Sequence, residues 1–195
     1  MGRALRNPGY FTVEEYLARE QAMGERCEFV NGVIYAMTGG TDRHNLIAGN
    51  VFYRLRGAMK PPCQVFQADM KLRIPTDLGE ARYYPDVFVG CDESDRDRLF
   101  RERPCVIVEV LSPSTEENDR RGKFEHYRTI PTLGHYILVA QDVPQVEVFA
   151  REKGWKPDIL FRGDAITVCD GRATLSADDI YEGISFSGLK PGDFG

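Results

Sequence analysis

The run Cys105-Val106-Ile107-Val108-Glu109-Val110-Leu111 is apolar except for one carboxylate. Unbroken β-branched residues describe a strand covered on both faces, so this segment belongs inside a sheet rather than at its edge. Burying an ionised carboxylate there costs several kcal/mol unless a cation or hydrogen-bond donors meet it. Glu109 must therefore have partners, either an Arg in a structural ion pair or the other members of a functional site. A second acid, Asp86, stands in Tyr83-Tyr84-Pro85-Asp86-Val87-Phe88-Val89, another strand-like run. Carboxylates offered by neighbouring strands suit a hard divalent cation, which takes oxygen ligands.

The rest of the composition narrows the class. A chain of 195 residues with 42% hydrophobic content can bury a full core, and the expectation is one domain over 1–195. No apolar run reaches the roughly 20 residues needed to cross a bilayer, and residues 1–9 lack the apolar stretch of a signal peptide. Nor do they complete a myristoylation motif. Five scattered cysteines, odd in number and without a CxxC, argue against a disulfide framework or a zinc site and suggest a reducing cytoplasm. A net charge of −5 opposes extensive passive coating of DNA. Basic groups at Arg54, Arg56 and Lys60, at Arg96 to Arg103, and at Arg120 to Lys123 read first as solvated faces.

Patterning gives the element order. Thr12 and Glu15 form a capping box for a short helix, and Asn31-Gly32 suits a two-residue turn in a hairpin over Arg26 to Met37. Apolar residues at helical spacing predict a helix from Asp42 to Lys60, stopped by Pro61-Pro62. Three strands follow, over Gln64 to Ile74, Tyr83 to Val89 and Cys105 to Leu111. Ser114 or Thr115 then caps a helix that runs through Tyr127 and ends before Pro131. A strand over His135 to Ala140 completes a core spanning about 42–140, flanked by the helix and hairpin of 12–37 and a β-meander over 145–181. The meander strands are expected over Gln145 to Arg151, Trp155 to Phe161 and Ala165 to Cys169, with a helical turn over Ala177 to Tyr181 and a frayed tail from Gly188. The fold class is α/β (α+β): helix, three strands, helix, strand around a mixed sheet with a crossover.

That order, with Pro-Asp on the second strand and Glu on the third, resembles the PD-(D/E)xK nuclease superfamily. More closely, the chain resembles a bacterial family of restriction-endonuclease-like proteins long labelled a domain of unknown function. The matching segments are Cys27 to Gly32, His44, Tyr84-Pro85-Asp86-Val87, Val108 to Thr115, and Lys123 with Tyr127. In the superfamily a Lys lies two residues after the acid, where this chain has Leu111; the resembling family places the amine on the next helix, at Lys123. The resemblance implies a Mg²⁺- or Mn²⁺-dependent endonuclease acting on nucleic acid, with DNA the expected partner. Asp86, Glu109 and Lys123 would be its catalytic residues, and Asp86, Glu109 and the Val110 backbone carbonyl its metal ligands. Glu28, His44, Asp69 and Tyr127 would line the site, Tyr127 orienting Lys123 or contacting phosphate.

Plainer readings stand beside these. Lys123 pairs with Asp119 on a helix surface, Glu28 makes a cross-strand pair, His44 caps a helix, and Asp69 points to solvent. Two rival functions also follow: a catalytically degenerate binding or assembly module, supported by Leu111, and a metal-dependent hydrolase of a small phosphorylated substrate, supported by the acidic charge balance. Cutting both strands of a duplex needs two sites, so a homodimer is expected.

Overall fold

A computed structural model describes residues 10–37 and 39–186; the N-terminal segment read above for targeting signals and the tail from Gly188 lie outside these. Local chemistry fixes the first elements. Helix α1 spans Val13–Met23, and the Thr12–Glu15 capping box forms as read: Thr12 Oγ1 accepts from Glu15 N, and the Glu15 carboxylate accepts from Thr12 N. Strands β1 (Cys27–Val30) and β2 (Val33–Ala36) pair with Val30 opposite Val33. Asn31 and Gly32 both take positive φ, 47° and 90°, as a type I′ turn requires. Helix α2 covers Asp42–Ala58, capped by the Thr41 side chain.

The central sheet is where the strands were expected, with different boundaries. The predicted strand over Gln64 to Ile74 is two: β3 (Gln64–Gln67) and β4 (Lys71–Thr76), separated at Ala68, whose φ is 50°. The two halves enter different sheets, β3 pairing with β6 (Val87–Gly90) and β4 with β5 (Gly79–Tyr83). Tyr83 thus closes a separate hairpin instead of opening the Asp86 strand. Alternation continues across the Ala68 break, so periodicity carries no sign there that the chain changes sheet.

A short strand β7 (Phe100–Arg101) precedes β8 (Pro104–Val110), which lies between β6, antiparallel, and β9 (His135–Val139), parallel. The parallel step needs a crossover. It is supplied by α3 (Glu116–Asn118), a π-helical turn over Asp119–Lys123 and α4 (Phe124–Tyr127). Strands β10 (Val146–Ala150) and β11 (Pro157–Leu160) extend this six-stranded sheet to the order β11-β10-β9-β8-β6-β3. The second sheet runs β2-β1-β5-β4-β7. The third predicted meander strand, β12 (Ala165–Val168), leaves the sheet to pair with β13 (Ala173–Ser176), which the sequence reading missed. Helix α5 (Ala177–Ile180) follows.

The two faces of β8 bury different chemistry. Val106, Val108 and Val110 enter an apolar cluster with Ile47, Val51 and Leu55 of α2 and with Leu175 and Ile180. Ile107 enters a second cluster containing Tyr83, Tyr127, Tyr136 and Leu138, and Glu109 points to that same side by strand parity. At about 1.5–3 kcal/mol per fully buried aliphatic side chain, the valines secure the strand that carries the acid.

The expectation of unpaired cysteines is overturned. Cys63 is bonded to Cys91 and Cys105 to Cys169, leaving Cys27 free and buried. Gln64 opposes Gly90 in the β3–β6 ladder, so the preceding and following cysteines face each other, a proximity that spacing along the chain does not encode.

Candidate active site

Asp86 sits just before β6, after a proline whose missing N–H ends the preceding hairpin, and Glu109 sits near the end of β8. The two strands are hydrogen-bonded neighbours, and the acids interlock: Asp86 Oδ2 accepts from Val110 N at 2.7 Å, while Glu109 Oε2 accepts from Asp86 N at 3.2 Å. Glu109 is 2% exposed. Its Oε1 accepts from Lys123 Nζ at 3.1 Å and from the Tyr127 hydroxyl at 2.9 Å.

Lys123 reaches β8 because the helix after it is not regular. Residues 119–123 form a π turn, which widens the helix and often marks a functional site. Gly122 permits it, since a Cβ there would lie 2.5 Å from Asn118 Oδ1. The turn brings Asp119 and Lys123 inward together, both buried. The ammonium ends 3.0 Å from Asp119 Oδ1, 3.1 Å from Glu28 Oε1 and 3.1 Å from Glu109 Oε1. The surface pairing of Lys123 with Asp119 is thereby corrected: the pair exists, but inside the site. Asp119 Oδ1 is buried and ion-paired with the ammonium, without a hydrogen bond.

His44, in the first turn of α2, places Nε2 3.2 Å from Asp86 Oδ2, and the Val110 carbonyl also faces its ring. A Cβ on Gly40 would come within 3.0 Å of His44 Nδ1, so glycine lets the loop before α2 close over the imidazole. Together these residues line a cleft of about 90 Å³ that also takes in Ser112 and Thr115.

Of the residues singled out from the sequence, Asp86, Glu109, Val110, Lys123, Glu28 and His44 all border this cleft. Tyr127 is fully buried behind Glu109 and bonds the same carboxylate oxygen as Lys123, and it is not among the residues that line the cleft. Asp69 is not part of the site. It lies in the break between β3 and β4 with an 85% exposed side chain, paired to Arg26. The reading missed Asp119 as a member; its i, i+4 spacing to Lys123 was the available signal, but burial was not.

The electrostatics are under tension. Three donors aimed at Glu109 suit its ionised form, yet burial, reinforced by Asp119, Asp86 and Glu28 and opposed by Lys123, pushes its carboxyl up to about 8. Burial pulls the Lys123 ammonium down, but Glu109, Glu28 and Asp119 outweigh it and hold its pKa well above the usual lysine range. His44 shows the same contest: burial lowers its pKa, the Asp86 carboxylate raises it more, and the net shift is upward. Four carboxylates meet one lysine and one titratable histidine, so the cage carries excess negative charge when ionised.

The comparisons agree with this architecture. Residues 13–178 match the model of the Uma2 family, described as “Putative restriction endonuclease”. The chain belongs to the Uma2 family. Two curated relatives come from Synechocystis sp. (strain ATCC 27184 / PCC 6803 / Kazusa). The uncharacterised protein slr1290 is 33% identical over 178 residues, covering 89% of this chain and 92% of its own. The uncharacterised protein sll1609 is 35% identical over 144 residues, covering 72% and 80%. Among solved structures, a “putative nuclease belonging to DUF820” from Anabaena variabilis ATCC 29413 superposes with a TM-score of 0.69. It shares 17% identity over 88% of this chain and 97% of its own, a likeness of fold. This Uma2 protein therefore has a restriction-endonuclease-like, nuclease-type fold of mixed α and β elements. No helix among its described residues is long and apolar enough to cross a membrane.

Proposed function

We propose that this Uma2 protein is a Mg²⁺- or Mn²⁺-dependent endonuclease that hydrolyses phosphodiester bonds in DNA. The observation that carries the proposal is the meeting of Asp86, Glu109 and Lys123, from two strands and the helix after them, at one cleft. The donor set fits a hard cation: carboxylate oxygens of Asp86 and Glu109 and the Val110 carbonyl, with Asp119 Oδ1, buried without a hydrogen bond, nearby. Bound there, the ion would act as a Lewis acid toward a phosphoryl oxygen and acidify a water.

The chain's own residues do the rest. Asp86 and Glu109 offer oxygens held in place by Val110 N, Asp86 N and the Tyr127 hydroxyl, so little reorganisation is needed. Lys123 presents a fixed positive charge where negative charge develops on the phosphoryl group. Glu28 and Asp119 hold the ammonium in place and keep it protonated. His44 steadies Asp86.

The test is cleavage of plasmid and linear DNA with Mg²⁺ or Mn²⁺ by wild type, Asp86→Ala and Lys123→Arg. Activity in wild type and its loss in Asp86→Ala is the expected result, and cleavage unchanged in Asp86→Ala would place the chemistry elsewhere. A homodimer, giving two sites for two strands, is part of this proposal and is checked by solution mass. A second reading has one observation in its favour. Lys123 is buried and already paired with three carboxylates, as in a site retained for structure in a binding module. DNA binding without cleavage under any divalent cation would select it.

A further inference from the structure

Four of the five cysteines, from four separate elements, converge at the end of β8 remote from Glu109. Cys63 precedes β3, Cys91 follows β6, Cys105 lies in β8 and Cys169 opens the turn between β12 and β13. The two bonded pairs abut: Cys91 Sγ and Cys105 Sγ are 3.7 Å apart, the sulfurs of Cys91, Cys105 and Cys169 all lie within 4.8 Å of one another, and Cys63 Sγ stands outside that group, bonded to Cys91. Backbone irregularities aim them there. Val89 opposes Val106 but Gly90 opposes Pro104, so Cys105 is the extra residue of a β-bulge, and it packs on the same cluster as Val106. Cys169 holds a φ of 51° within a turn that continues through Asp170 at 56° and Gly171 at 83°. Left-handed non-glycine residues are costly, and this turn directs the Cys169 side chain to Cys105.

We infer that these four cysteines form a zinc-binding site when reduced. Four thiolates about a tetrahedral Zn²⁺ with Zn–S near 2.3 Å stand roughly 3.8 Å apart, close to the Cys91–Cys105 separation. The charge balance also fits. A tetrathiolate zinc centre carries two net negative charges, and Arg172 Nη1 lies 3.0 Å from Cys63 Sγ, a contact a thiolate sulfur accepts better than a disulfide sulfur. The conversion balances. Each disulfide takes two electrons and two protons from a dithiol reductant, which leaves as its own disulfide; the four thiols then lose four protons as four Zn–S bonds form. With four protein ligands and no open position, the centre is structural. It would tie the end of α2, the β6–β8 pair and the β12–β13 turn together.

The experiment uses the full chain, reduced with a dithiol and titrated anaerobically with Co²⁺ and then Zn²⁺. One Co²⁺ per chain is expected to develop thiolate-to-metal charge-transfer absorption and the intense visible bands of a tetrahedral site, displaced by Zn²⁺, whatever the carboxylate cleft takes up without such bands. Asp86→Ala and Cys27→Ser should leave this spectrum unchanged, which separates it from the carboxylate cleft. Cys105→Ser should weaken it at least tenfold in affinity. Because a ligand variant can misfold, Arg172→Ala is the second probe: it keeps all four sulfurs and should lower affinity severalfold. Reduced, folded wild type with no charge-transfer band overturns the inference and leaves two permanent disulfides.

Discussion

Val108 and Glu109 are adjacent in one strand and equally hidden, at 1% and 2% exposure, yet opposite faces hold them by different means. Val108 faces the apolar cluster under α2, where an apolar side chain of similar volume satisfies its neighbours. Glu109 faces the tyrosine-rich side, where its charge depends on Lys123, Tyr127 and Asp86 N. One face is held by volume, insensitive to pH and ions. The other is held by a closed list of partners, and losing any of them leaves the buried carboxyl less fully satisfied.

The largest break in this contrast comes from Lys123. Lys123→Ala leaves three carboxylates without their cation and should cost about 3–5 kcal/mol, read as a lowered urea midpoint, along with DNA cleavage. The deficit should shrink at low pH, where the acids protonate; a deficit constant with pH would mean that the side chain acts by packing alone.

Metal linkage follows. The proposed cation would relieve the crowded acids, so Mn²⁺ should raise wild-type stability by about 2.7 kcal/mol at 100 times its Kd, and Asp86→Ala should lose most of that gain. Binding displaces the proton on Glu109, so affinity should rise from pH 6 toward about 8 and then level off. Equal affinity at both ends of that range in a calorimetric titration would contradict the raised carboxyl.

Substitutions at the two neighbours sharpen the comparison directly. Val108→Ala should cost about 2 kcal/mol, the same at pH 5 and pH 8 and with or without Mn²⁺. Glu109→Gln should behave differently. The folded carboxyl lies above its unfolded value, so the stability it contributes is present at acid pH and lost as pH rises toward about 8. Relative to wild type, Glu109→Gln should therefore gain stability between pH 5 and 8. Parallel pH curves for the two variants would erase the distinction between the faces.

The smallest effects belong to the supporting groups. Tyr127→Phe removes one donor from Glu109 and should cost about 1 kcal/mol, with weaker Mn²⁺ binding. His44→Gln should cost a similar amount near pH 6. The His44 pKa is raised in the folded protein, so its contribution is full below the ordinary histidine value and fades as pH climbs through the folded one. A His44 pKa at or below that of a free histidine, measured by NMR titration, would show that Asp86 does not hold it.

Sequence alone determined that β8 is buried, because only a sheet interior accommodates Val106 to Val110, and that Glu109 needs partners, because an unpaired buried charge is too costly. It also determined the N-terminal cap of α1 and the Asn31-Gly32 turn, where the chain interacts with itself within three residues. It placed Asp86 and Glu109 on successive strands of one core. Tertiary structure decided the rest. The π turn that carries Lys123 and Asp119 inward is not visible in a helical period, since its apolar spacing differs from an α-helix by a single residue. The break at Ala68 that sends Asp69 to solvent leaves alternation intact. The meeting of four cysteines depends on ladder register and a bulge, and both are set by which strands pair, a long-range choice that spacing along the chain does not record.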